Sequence, residues 1–356
     1  MKRHLNSPSS RPIAAWLLVG VGMIIIQVLL GGITRLTGSG LSITEWNVVT
    51  GTLPPLNEQQ WLAAFGKYKA TPQFQLLNTD FGLQDFKFIF FWEWFHRLWA
   101  RLIGVVFAVP FIIFLVQRRF KPAMVKPLLI LFLLGALQGA IGWIMVASGL
   151  TGDAIYVKPV KLALHFVLAL GLLAYAYWFA LDLLIPKEQV TVNRKINRIT
   201  LLIIGLLVIQ LAYGAFMAGH KAATAAPTWP DINGSIIPSN MLGKEGGLAD
   251  LIDNRITIHF IHRGLAYLLF FLVAWLSFHL YKTTGSPAYR KARRWPLALV
   301  ILQVALGVFA VLTSPGIVPN RWGRFEWLAE IHQLIAMFFL LSLIRIVYLV
   351  RPSPVN

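Results

Sequence analysis

The chain is 356 residues long, 57% hydrophobic and only 13% charged, with 13 Trp, 24 Phe and a mean hydropathy of +0.67. A soluble protein of this length cannot hide so much apolar surface in one core. Long uncharged runs recur along the chain, which excludes a cytosolic enzyme, a secreted domain and a disordered chain, and indicates a multi-spanning membrane protein. Cysteine is absent, so disulfides, thiolate metal sites and cysteine nucleophiles are excluded as well.

Eight stretches are apolar over about 20 residues or more, enough to cross a bilayer as helices. They run over 12–33, 89–116, 125–147, 160–185, 197–219, 256–281, 295–314 and 327–350. The first lacks a small-residue cleavage site and reads as a retained helix. The formal charge of +18 is distributed unevenly. The N-terminus, the segments near 117–126, 186–198 and 282–294, and the C-terminus together hold 17 Lys/Arg against one acid, Glu188. The positive-inside rule places that set in the cytoplasm, with both termini. The excess charge is thus topogenic and attracts anionic lipid, and nucleic-acid binding is not expected.

The halves resemble each other. Gln27 with Gly31 in the first span matches Gln210 with Gly214 in the fifth, 183 residues on. His96-Arg97 matches His262-Arg263, Gln138 with Gly142 matches Gln303 with Gly307, and His165 matches His332, at offsets of 166, 165 and 167. A longer first outer loop absorbs the change. Each half spans four helices in the same sense, which is a parallel repeat about an axis along the membrane normal. The expected fold is therefore an all-α integral membrane protein of eight transmembrane helices. They form two tandem pseudo-symmetric four-helix bundles, residues 1–190 and 191–356, divided near 186–198.

Of eight histidines, His4 is terminal, His220 lies in a loop and His279 sits near the cytoplasmic interface. His96, His165, His262 and His332 occupy repeat-equivalent positions near the outer ends of their spans. Each half thus offers two imidazoles on separate helices of one bundle, where cofactor sites are built. Two facing histidines are the usual axial ligands of a six-coordinate haem. Hydrogen bonding between helices is the plainer alternative. Arg97 and Arg263 each follow a histidine, and an arginine within a span needs a partner; a haem propionate or the membrane interface would provide one. Arg101 has no counterpart and would pair with Glu93 or a propionate. Glu93 lies three residues before His96, on the same helix face, where the second half has His259. A carboxylate at membrane depth is a functional candidate, with a salt bridge to Arg97 as the structural alternative. Glu330 reads as structural. Gln27, Gln138, Gln210 and Gln303 are expected to bond across helices or to contact a ligand histidine.

In the first outer loop, 34–88, Asn57-Glu58-Gln59-Gln60 resembles a helix start with a capping box. Trp61, Phe65 and Tyr68 follow at helical spacing and predict a short amphipathic helix on the membrane surface or over the first bundle. In loop 220–255, Trp229-Pro230 echoes Trp46. A lid over each pocket and ordinary loop packing both fit.

Several runs resemble the haem A synthase family. They are Gly32-Ile-Thr-Arg35-Leu-Thr-Gly-Ser-Gly-Leu-Ser-Ile-Thr-Glu-Trp46, then Phe86-Lys87, Glu93, His96-Arg97 and Arg101-Leu-Ile-Gly104, and Leu137-Gln-Gly-Ala-Ile-Gly-Trp143. The likeness covers most of the chain, and without cysteine the chain resembles the branch found in mitochondria and many Gram-negative bacteria. It implies oxidation of the C8 methyl of haem O to a formyl group by two hydroxylations and loss of water, giving haem A for cytochrome oxidase. It implies that His96 and His165 flank the iron of the substrate haem, with Glu93 as the catalytic carboxylate. By the same likeness His262 and His332 ligate a permanent haem B that relays electrons, with Arg97 and Arg263 as cofactor-binding residues. The enzyme would lie in the bacterial inner membrane and receive haem O from haem O synthase. Its electron donor and its self-association stay open. A di-haem cytochrome b and a haem carrier are the rivals; neither needs a carboxylate beside one site only.

Overall fold

The computed structural model describes residues 11–45, 50–239, 241, 247–319 and 321–352. His4 and Trp46 lie outside these residues. Among the described residues there are twelve α-helices and no β-strand. Eight are long and apolar enough to cross a membrane: α1 (Arg11–Leu36), α4 (Leu83–Val116), α5 (Pro122–Ala147), α6 (Pro159–Leu184), α7 (Arg194–Gly219), α9 (Arg255–Lys282), α11 (Trp295–Thr313) and α12 (Arg324–Val350). They match the eight expected spans. Four short helices lie between them: α2 (Glu58–Lys69), α3 (Pro72–Leu77), α8 (Asp250–Asp253) and α10 (Pro287–Ala292).

The largest difference from expectation is the start of α4, six residues earlier than its apolar run. At 1.5 Å per residue its 34 residues span roughly 50 Å, well beyond a hydrocarbon core of about 30 Å. Its length leaves room for its polar first turns to lie beyond the hydrocarbon core, and they are started by the Asp85 carboxylate accepting from the Gly82 N–H at 2.9 Å. They carry Phe86, Ile89 and Phe90 into a cluster with Phe65 and Tyr68 of α2. That decides where the amphipathic helix goes: it covers the protruding end of α4. The cap at Asn57 is as read, with Asn57 Oδ1 accepting from Gln60 N at 2.9 Å. In the return bond Leu56 N donates to Gln60 Oε1 at 2.8 Å, one residue outside the usual capping box.

α1 ends where Gly38 adopts a left-handed conformation, φ +68°, and Ser39 N donates back to Thr34 O at 2.8 Å. A side chain at Gly38 would strain that turn, and the turn aims residues 39–45 back over the bundle.

α1 packs against α4 and α6, and α5 against α6; in the second half α7 packs on α9 and α12, and α11 on α9 and α12. The halves also join, through α6 on α7 and α12 and through α1 on α12. One apolar core runs across that seam, from Leu17 and Leu173 to Ile203, Leu343 and Tyr348. The halves differ in one respect. α9 and α11 pack together, whereas their counterparts α4 and α5 do not pack closely.

Candidate functional site

In the first half, Glu93 projects from α4 and is 2% exposed. Its Oε2 accepts from Ser42 Oγ at 2.7 Å and from Ile43 N at 2.9 Å, and its Oε1 pairs with Arg97, one turn on. Arg97 also donates to Ile43 O and Glu45 O, both at 3.2 Å. The carboxylate and the guanidinium together strap residues 42–45 across the end of the bundle. Beside this strap, a cavity of about 210 Å³ lies between Ile43, Glu45 and Arg97 on one side and Trp143 and Val146 of α5 on the other. It sits at the end of the gap between α4 and α5.

The second half repeats the strap in register. Arg263 donates to Ala226 O at 2.9 Å, Thr228 O at 2.7 Å and Asp231 O at 2.7 Å. Ala226 and Thr228 stand 183 residues after Ile43 and Glu45, the same offset that relates Trp46 to Trp229. Charge-assisted bonds to loop carbonyls therefore satisfy both arginines in large part. Asp231 is itself tied into the turn, and the Gly234 N–H on its Oδ1 holds its carboxyl below the usual carboxylate range. The halves part company at Glu93. Its counterpart His259 is fully buried, and neither ring nitrogen has a hydrogen-bond partner among the described residues. Ser42 is matched by Ala225. Donor and acceptor are thus replaced together.

The four paired histidines share one environment. Gln27 Nε2 lies 3.1 Å from His96 Nε2, Gln138 Nε2 is 3.1 Å from His165 Nδ1, Gln210 Nε2 is 3.5 Å from His262 Nε2, and Gln303 Nε2 is 3.1 Å from His332 Nε2. Four residues after each glutamine comes a glycine against which the same imidazole rests. A Cβ on Gly31, Gly142, Gly214 or Gly307 would lie 3.2, 2.8, 3.4 or 3.0 Å from the Cε1 of that ring. Within each half the two rings are near enough to act on each other electrostatically.

A family model described as Cytochrome oxidase assembly protein matches residues 14–344. The chain belongs to this family. Among curated relatives, the Heme A synthase of Flavobacterium psychrophilum is 41% identical over 338 residues, 93% of this chain and 96% of that one. The Heme A synthase of Bradyrhizobium sp. (strain ORS 278) is 43% identical over 311 residues, covering 86% of this chain and 85% of the relative. That of Rhodospirillum centenum is 40% identical over 349 residues, covering 98% and 90%. With eight apolar spans, the chain is a multi-pass protein of the inner membrane, as those relatives lead one to expect.

The residues present suit the group this family implies. In each half two imidazoles lie within electrostatic reach of each other. All four glutamine Oε1 atoms, and His262 Nδ1, are buried without a hydrogen-bond partner among the described residues. No group of three or more His, Cys, Asp or Glu occurs among the described residues to make a metal site of another kind. A haem that would be held by the paired histidines of each half fits that donor set.

Of the residues singled out in this cytochrome oxidase assembly family chain, Glu93, His96 and Arg97 share one end of α4, and Arg97 takes the Glu93 carboxylate. Glu330 is buried on α12, and its carboxylate lies directly against Gly32 of α1, where a Cβ would meet it. Neither of its oxygens has a hydrogen-bond partner among the described residues. Three features escaped the sequence. The partners of Glu93, Ser42 Oγ and Ile43 N, are 50 or more residues away in a loop. The common strap of the two arginines rests on main-chain carbonyls, which leave no sequence signal. The shared spacing of glutamine and glycine was visible, but only contact with the histidines gives it meaning.

Proposed function

We propose that this protein is a haem A synthase, an oxidoreductase that converts the C8 methyl of haem O to a formyl group. The observation that carries the reading is a buried, fully bonded carboxylate beside one pair of histidines and not beside the other. A cytochrome holding two equivalent haems has no use for that asymmetry. Residues 1–190 form the substrate half, and residues 191–356 the half with a resident haem. The substrate enters from lipid between α4 and α5, where an apolar farnesyl tail meets no desolvation cost.

His96 and His165 orient haem O in the first half, so that the reacting methyl lies near Glu93. Glu93 holds negative charge at a fixed place and, through Oε2 and the Ser42 hydroxyl, hands protons between the site and the loop. Arg97 keeps that carboxylate aimed while its loop bonds exclude water. In the second half His262 and His332 hold haem B, which supplies reversible one-electron chemistry when bound. Arg263 spends three of its five N–H bonds on the loop and offers the remaining two to a propionate.

The test is cofactor analysis of Glu93→Gln beside wild type in cells that make haem O. Haem A in wild type, with haem O or a hydroxylated haem accumulating in the variant, is expected. Haem B alone in both, at two per chain, would sink the reading and leave an electron-transfer cytochrome.

A further inference from the structure

The four glutamine–glycine pairs have one design, which reduces the pseudo-twofold chain to four copies of a smaller unit. Each unit is a helical hairpin. Its first helix carries Gln-x3-Gly and its second carries the histidine that rests on it: α1 with α4, α5 with α6, α7 with α9, and α11 with α12. Two hairpins make one pair of histidines.

The spacing has a mechanical reason. In an α-helix the carbonyl of residue i points toward residue i+4, and a side chain at i+4 shields it from a neighbouring helix. Glycine at i+4 leaves the glutamine's own carbonyl open. In the last hairpin that carbonyl is used: His332 Nδ1 lies 3.0 Å from Gln303 O. With a carbonyl as partner, Nδ1 is the protonated nitrogen, and Nε2 is left with its lone pair. Two of the other notches share the orientation: next to Cε1, the ring atom nearest the site of a Cβ is Nδ1, at 3.7 Å on Gly31 and 3.3 Å on Gly142, as it is at 3.5 Å on Gly307, whereas at Gly214 only Cε1 comes within 4 Å. The Oε1 of each glutamine is buried without a hydrogen-bond partner among the described residues.

From this geometry we infer that each Gln-x3-Gly notch is the socket of one axial histidine. Its glycine admits the Cε1 edge of the ring, the Gln303 carbonyl accepts the Nδ1–H bond in the last hairpin and the corresponding glutamine would do so in the other three, and Nε2 is thereby assigned to iron. Gly31, Gly142, Gly214 and Gly307, with Gln27, Gln138, Gln210 and Gln303, are positioning residues. They act through the imidazoles by fixing tautomer and ring plane, which set ligand basicity and redox potential. The inference rests on the proposed haem-binding function and adds which nitrogen ligates and what holds it.

The experiment uses the full-length protein with its haem B, purified in detergent. Three alanine variants form a graded series. Gly307→Ala brings a Cβ to 3.0 Å of the His332 ring, Gly214→Ala only to 3.4 Å of the His262 ring, and Gly205→Ala on α7 meets nothing within 4 Å. The readouts are the low-spin ferric EPR signal, the haem midpoint potential and the apparent haem affinity. Gly307→Ala should shift the first two and weaken affinity by about 10–100-fold, the range for outer-shell partners of a metal ligand. Gly214→Ala should shift them less and Gly205→Ala not at all. A packing role alone would lower yield and leave the EPR signal and potential of the surviving holoprotein in place, which overturns the inference. Wild-type protein with histidine labelled at one ring nitrogen gives a second reading by electron spin-echo spectroscopy, free of any folding defect. Ligation through Nδ1 refutes the socket. Wild type without any haem overturns the proposed function and the socket together, whereas haem-loaded wild type with unshifted variants overturns the socket alone.

Discussion

Two glycines of α7 should respond to alanine with opposite sign. Gly219, its last residue, meets the start of α6, where a Cβ would lie 2.9 Å from Pro159 Cβ, 3.1 Å from its Cα and 3.3 Å from its Cγ. The proline ring and main chain cannot turn aside as a long side chain would. Gly219→Ala must therefore push α6 and α7 apart where the two halves join, and overpacking of this kind costs about 1–3 kcal/mol. Gly205, four turns earlier, has nothing within 4 Å of its Cβ position. Gly205→Ala should gain roughly 0.5–1 kcal/mol from helix propensity alone. The two variants should thus differ by about 1.5–4 kcal/mol. Unfolding in mixed micelles, titrated with a denaturing detergent and followed by far-UV circular dichroism, measures the difference. If Gly219→Ala is as stable as Gly205→Ala, the α6–α7 contact is not the tight one described, and the close seam between the halves is wrong.

Phe86 is fully buried among Trp61, Phe65, Tyr68 and Phe90. Phe86→Ala should cost about 3–5 kcal/mol, confined to the α2 cap, so that limited proteolysis cuts near α2 while the spans stay protected. The loop around Asp231 should respond to acid. Its carboxyl lies below the usual range because it accepts the Gly234 N–H and faces Arg263. The stabilisation is present above the unfolded-state value of 3.8 and is lost as pH falls through the lower folded value. Amide exchange in residues 226–235 should therefore be unaffected between pH 7 and pH 5, after correction for intrinsic rates, and gain in amplitude only below about pH 4. A rise between pH 7 and pH 5 would contradict the assignment.

The spans and the pairing of histidines were legible because a bilayer demands long uncharged runs and because a duplicated chain displays its own repeat. The start of α4 was not legible, since residues 83–88 mix Gln84, Asp85 and Lys87 with aromatics and their helix is held by α2 rather than by lipid. The Glu93–Arg97 pair could be read from its spacing of four residues. What could not be read is that Ser42 and Ile43 complete the carboxylate's bonds, since chain folding over tens of residues brings them there. The arginines read as partners of a haem propionate, of Glu93 or of the membrane interface, because an intramembrane cation needs a partner. In the structure carbonyl oxygens meet much of that need, and those are the same in every residue type.

The asymmetry between the halves carries one further consequence. Glu93 and Ser42 occupy the places that His259 and Ala225 hold in the second half, while the arginine straps agree in register. If the carboxylate pocket is a property of that pair, it can be transplanted. His259→Glu alone buries a carboxylate beside Arg263, whose side chain already serves three carbonyls, and should destabilise the protein. Adding Ala225→Ser supplies the hydroxyl, and hydrogen bonds to charged groups contribute about 1.5–3 kcal/mol. The double variant should regain about that much over His259→Glu, whereas Ala225→Ser alone should change little. The coupling from the four proteins isolates the pair. A coupling near zero would mean that Ser42 is incidental to Glu93, and that the second half lacks its carboxylate for reasons unrelated to the loop. A coupling of the expected size would show that the strap is a common frame, and that two side chains decide which half can hold a carboxylate one turn before its arginine.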